Sequence, residues 1–102
     1  MKNIYYSPEK FGLELVDSHH LSDEPYSFNI LAIWRDTRDH TIMYYEQDSG
    51  CSCPTPFEGL QVADLSRFSL EEVEEIVHGG DTDGSEFLRR VRAADAERRG
   101  GH

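Results

Sequence analysis

Apolar residues recur along this chain with two different periods. Up to about residue 47 they alternate as in strands, and beyond residue 69 they follow helical spacing. Phe11, Leu13 and Leu15 alternate with Gly12, Glu14 and Val16, which gives a strand with one apolar face. Phe28, Ile30, Ala32 and Trp34 then share one side of a second strand, with Leu31 and Ile33 on the other. Its middle is therefore apolar on both faces, as a central strand requires. The run 35–40, RDTRDH, supplies a turn, and 41–47, TIMYYEQ, returns with Ile42 and Tyr44 on one side and Met43 and Tyr45 on the other. The polar run 17–25 reads as a loop between the first two strands, and NIYY, 3–6, offers a short N-terminal strand.

The helical part opens at Ser69, which with Glu72 forms a Ser-x-x-Glu capping box. Leu70, Val73, Ile76 and Val77 make its apolar stripe. Gly79 and Gly80 predict a left-handed stop. Asp83 and Glu86 offer a second capping pair for a helix reaching about residue 98, anchored by Phe87, Leu88 and Val91. The expected fold is α+β: a small antiparallel meander of three to four strands packed with one or two C-terminal helices. It forms one domain over 1–98, followed by a frayed tail, 99–102.

Composition changes this picture mainly through charge. The 102 residues carry a formal charge of −10, and residues 84–102 hold five arginines against Glu86, Asp95 and Glu97. An acidic body thus carries a mildly basic end. Such a body repels phosphate backbones, so direct nucleic-acid binding is not expected, and basic partners or solubility alone are the natural readings of the charge. The mean hydropathy of −0.64 calls for economical use of apolar residues. No run approaches the length of a membrane span, and the N-terminus has no apolar leader segment, so a cytoplasmic protein is expected.

Both cysteines fall in 48–59, DSGCSCPTPFEG. A zinc site would recruit Cys51 and Cys53 with His40 and Asp48, or with His19, His20 or His78. The one-residue spacing is shorter than that of familiar zinc knuckles. A Cys51–Cys53 disulfide would demand a tight turn, because extended backbone holds the two Cβ atoms too far apart. A catalytic cysteine needs a base, and His40 sits at the far end of the third strand. The economical reading is a shaped loop comprising Asp48, Ser49, Gly50, Cys51, Ser52, Cys53, Pro54, Pro56 and Phe57. Glycine permits the turn, prolines stiffen the exit and a buried Phe57 plugs the core. Rigid loops of this kind also serve recognition.

Other patterns carry less. Residues 81–86, DTDGSE, resemble half of a calcium loop, but with Gly84 at the turn position the outer ligand positions fall on Gly79 and Arg90. Glu71, Glu72, Glu74 and Glu75 form an acidic helix face that would mimic nucleic acid only if it joined Asp81 and Asp83 in one continuous surface.

The segment 44–60, YYEQDSGCSCPTPFEGL, resembles a group of uncharacterised proteins of actinobacterial phages and their hosts, in which a similar Ser-Gly-Cys-Ser-Cys-Pro-x-Pro-Phe-Glu stretch follows an aromatic strand. The resemblance implies a phage or actinobacterial origin and no assigned activity. The functional expectation is a small acidic, non-enzymatic protein-binding module without cofactor, a phage accessory protein acting on a host protein. The alternatives are a domain with a structural zinc at Cys51 and Cys53, and an acidic nucleic-acid mimic.

Overall fold

The computed structural model describes residues 3–51 and 55–100, the side chain of Cys51 excepted. The alternating segments form an antiparallel meander of β1 (Leu13–His20), β2 (Ser27–Asp36), β3 (Met43–Cys51) and the two-residue β4 (Ser66–Arg67), in that spatial order. Two helices follow, α1 (Leu70–His78) and α2 (Ser85–Gly100), so the fold is α+β as its periodicity predicts.

Both faces of the sheet are covered. On one face Leu31, Ile33, Met43 and Tyr45 pack against Val73 and Val77 of α1 and Phe87, Leu88 and Val91 of α2. On the other, Ile30, Ala32 and Trp34 meet Ile4, Phe57 and Leu65, which come from irregular chain. The alternation of β2 and β3 sets this division, since successive side chains point to opposite sides. Trp34, Tyr44 and Tyr45 consequently form no bare aromatic sheet face: Trp34 and Tyr45 are buried and Tyr44 is partly so.

Several local expectations are corrected. NIYY is a turn, because the Asn3 carboxamide oxygen accepts from the backbone N–H groups of Tyr5 (2.7 Å) and Tyr6 (3.1 Å) and bends the chain. The fourth strand is instead β4, which pairs with Tyr44 and Tyr45. The stretch 17–20 belongs to β1: its register with β2 shifts between Leu15 and Asp17, and this bulge swaps the faces. Leu13 and Leu15 lie with Trp34, whereas Leu21 and the partly buried Val16 lie with the helices. Asp17 there reaches Arg90 of α2, with Nε to Oδ2 at 2.5 Å, and His19 stacks on Phe87 at 5.2 Å. Polar residues therefore stand where simple alternation would put apolar ones.

The helix boundaries supply the other corrections. Gly79 ends α1 in a right-handed conformation (φ −81°, ψ −8°). Gly80 serves close approach, since a Cβ there would come within 3.0 Å of the Leu21 carbonyl oxygen. That approach lets Asp81 N–H donate to the same oxygen at 2.8 Å, docking the interhelical loop on the end of β1. Ser69 accepts from Glu72 N–H at 3.4 Å, but the Glu72 carboxylate accepts from the Tyr45 hydroxyl, so only half of the expected box forms. At α2, Asp83 accepts from Ser85 N–H at 3.0 Å while Glu86 pairs with Arg89 at 2.7 Å. The helix continues to Gly100, past the expected end at 98.

Candidate functional site

The two ends of the meander hold different chemistry. At one end β3 runs further than expected, so Asp48, Ser49 and Gly50 are strand residues opposite Ile30, Asn29 and Phe28, and Cys51 pairs with Ser27. Asp48 then bridges to the returning chain: its Oδ2 accepts from Phe57 N–H at 2.7 Å. This bond holds Phe57 at φ +61°, a left-handed conformation that costs an aromatic residue strain energy. Burial offsets that cost. Phe57 is 1% exposed, edge-on to Trp34 at 5.4 Å and tilted against Tyr5 at 5.2 Å. The Asn3 carboxamide donates to Pro56 O at 3.0 Å and closes the frame. The expectation of a buried Phe57 in a shaped segment is met. Ser52, Cys53, Pro54 and the Cys51 side chain lie outside the described residues, and with them the reading of the two thiols as reduced structural groups and the zinc alternative to it.

Two of the candidate zinc partners, His40 and Asp48, do not converge. His40 lies in the β2–β3 turn and Asp48 near the other end of β3, which separates them by roughly 20 Å of strand. Among the described residues no group of three His, Cys, Asp or Glu side chains could hold a metal ion. His19 is committed elsewhere. Thr82 Oγ1 donates its single proton to His20 O (2.5 Å), so at 2.9 Å it accepts from His19 Nε2, which fixes the tautomer. That polarity is opposite to a histidine base activating a hydroxyl. Burial foremost, and then the neighbouring His20, hold the His19 pKa below its usual value.

The acidic helix face is interrupted. Glu72 turns to Tyr45, and Glu74 is clasped by Arg92 of α2, with Oε2 3.1 Å from Nε and 2.5 Å from Nη2. Glu71 and Glu75 remain exposed, and Asp83 is spent on capping. A cation thus enters the row that a nucleic-acid mimic would need continuous.

At the opposite end, the β2–β3 turn and the last turns of α2 enclose a cleft of about 420 Å³ lined by Arg35, Arg38, Arg98, Glu97, Asp39, His40 and two threonines. Arg35 gives Nε and Nη2 to Glu14 of β1, both at 2.6 Å, leaving Nη1 only a loose 3.8 Å pairing with Glu97. Arg98 repeats the arrangement. Its Nε (3.1 Å) and Nη2 (2.5 Å) go to the buried Asp95, its guanidinium lies over Phe68 at 5.5 Å, and Nη1 keeps a long 3.5 Å bond to Thr41 O. Arg38 makes no ion pair among the described residues. Carboxylates behind the cleft therefore orient two guanidinium groups, and the third is free to meet a ligand.

The sequence signals this cleft only weakly. Asp95 and Arg98 stand at i,i+3, a legible helix pair, but nothing in the spacing brings RDTRDH to the end of α2. A family model described as Domain of unknown function (DUF7574) matches residues 2–97. The chain belongs to that family. No curated protein and no solved structure matches it. The DUF7574 match spans the whole meander and α2 through Glu97, so it takes in both ends of the sheet. Among the described residues no helix of this DUF7574 domain is long and apolar enough to cross a membrane.

Proposed function

We propose that the domain is a small acidic, non-enzymatic binding module that engages a basic segment of a partner protein. Its setting in this reading is cytoplasmic, as a phage accessory protein acting on an actinobacterial host. The observation that carries the proposal is how the positive charge is used. Arg35, Arg89, Arg90, Arg92, Arg98 and Arg99 are held in internal ion pairs, so the surplus of −10 resides on surface carboxylates such as Glu71, Glu75 and Asp81. A field of that sign steers basic partners and repels acidic ones.

Recognition is favoured over chemistry because reactive groups are committed to structure: His19 to Thr82, and Asp48 to Phe57 N–H. Titration with a lysine-rich peptide, followed by backbone amide shifts, tests the reading. Saturable one-to-one binding that weakens steeply with added salt is expected. Equal affinity for the same peptide with every lysine replaced by glutamine would overturn it.

A further inference from the structure

The cleft at the end of α2 differs from the carboxylate-rich surface around it in presenting arginine N–H donors. Its lining carries three guanidinium groups, of which Glu14 and Asp95 neutralise those of Arg35 and Arg98 from behind, so that Arg38 is the cation of the lining without an ion pair among the described residues. Asp39 is turned inward on its own loop, accepting from Thr41 Oγ1 (2.6 Å) and Thr41 N–H (3.0 Å), which keeps it ionised and occupied. Glu97 is largely exposed, and its carboxylate stands 3.8 Å from Arg35 Nη1. A carboxylate of this chain thus already leans, loosely, toward the donor left over when Glu14 orients Arg35. The Nη1 groups of Arg35 and Arg98, each only loosely engaged, and the Arg38 guanidinium are N–H donors of the kind from which a carboxylate accepts charge-assisted hydrogen bonds.

We propose that the cleft takes the C-terminal carboxylate of the partner chain. This rests on the basic-partner reading above and adds where the end of that partner sits. A segment with basic side chains and a free terminus satisfies both halves of the surface: its cations meet the acidic body, and its one terminal carboxylate meets Arg38 and the Nη1 edges of Arg35 and Arg98. A cleft of about 420 Å³ is of small-ligand size and receives the last residues of a chain, not a folded surface. Glu97 is the internal competitor that the terminus displaces.

The test compares one lysine-rich peptide made as the free acid and as the C-terminal amide. Attraction to an acidic body alone makes the amide, with one more net positive charge, the tighter ligand. The clamp makes the acid tighter, by about ten-fold, the worth of charge-assisted hydrogen bonds to arginine. Arg38→Ala, which removes a side chain without an ion pair among the described residues, should abolish most of that difference, and Glu97→Gln should increase it several-fold. Amide shifts in the acid complex should include residues 37–41 and 97–98. Should acid and amide bind equally, or the amide more tightly, with salt-sensitive binding intact, the clamp is wrong and the basic-partner reading stands. An acid preference that survives Arg38→Ala unchanged also overturns the clamp. Binding of neither peptide removes the basic-partner reading and the clamp together.

Discussion

The two faces of the sheet are both covered and differently made. The helix face is covered by Val73, Val77, Phe87, Leu88 and Val91, whose spacing along regular helices brings them to the sheet in turn. The other face is covered by Ile4, Phe57 and Leu65, three residues from irregular segments widely separated in sequence. A helix positions its apolar residues through its own backbone hydrogen bonds. An irregular cover must be held by individual side-chain bonds to the backbone. Three such bonds do so here: Trp34 Nε1 to Ile4 O at 2.9 Å, Asn3 to Pro56 O, and Phe57 N–H to Asp48. The irregular face is therefore as much core as the helical one, but its stability is concentrated in a few polar contacts.

The sharpest way to break that comparison is to truncate one phenylalanine on each face. Phe57 and Phe87 are 1% and 2% exposed, so Phe57→Ala and Phe87→Ala should each cost about 3–5 kcal/mol, read as shifts in the urea midpoint. A cost for Phe57→Ala far below that for Phe87→Ala would mean that the irregular segment is a loose lid and not core.

This contrast also explains what the sequence makes legible. Strand and helix periods announce β2, β3, α1 and α2, and both faces of β2 follow from alternation alone. The second half of β1 is hidden because the bulge between Leu15 and Asp17 puts Asp17 and His19 on the helix side, where Arg90 and Thr82 satisfy them. β4 is too short, at two residues, to show a period. Phe57 is legible as a core plug from the glycine and prolines around it, but the left-handed backbone that aims it depends on Asp48, a partner nine residues away. The arginine cleft is the least legible feature. It arises where a hairpin turn meets the end of a helix, and neither periodicity nor spacing encodes that meeting.

The next effect in size tests the polar ties of the irregular face. Asp48→Ala leaves the Phe57 N–H without its acceptor beside a buried ring and removes the bond that holds its left-handed φ. A loss of about 1–3 kcal/mol is expected. The substitution should also accelerate amide exchange at Phe57 before it affects α2, since the tie is local to that cover. Uniform acceleration through both faces would instead show that the two covers open as one unit.

The smallest effect is expected at the corresponding tie on the helix face, where the Tyr45 hydroxyl donates to Glu72 of α1. Here the helix backbone already positions the cover, so Tyr45→Phe should cost only about 1 kcal/mol at neutral pH. Its signature lies in alkali. The bond to Glu72 and, after it, burial of the phenol push the Tyr45 pKa up to about 12 from an ordinary value of 10. The folded state thus retains a proton that the unfolded chain gives up between those values, so ν_U is below ν_N and stability falls as pH rises through the window. Below pH ~10 both states are protonated and this contribution is fully present. Urea midpoints of wild type and Tyr45→Phe, measured from pH 9 to 12, should therefore converge and then cross as the wild type loses stability more steeply. Parallel curves would mean that the phenol is not tied to the helix, and that α1 is held on the sheet by its apolar stripe alone.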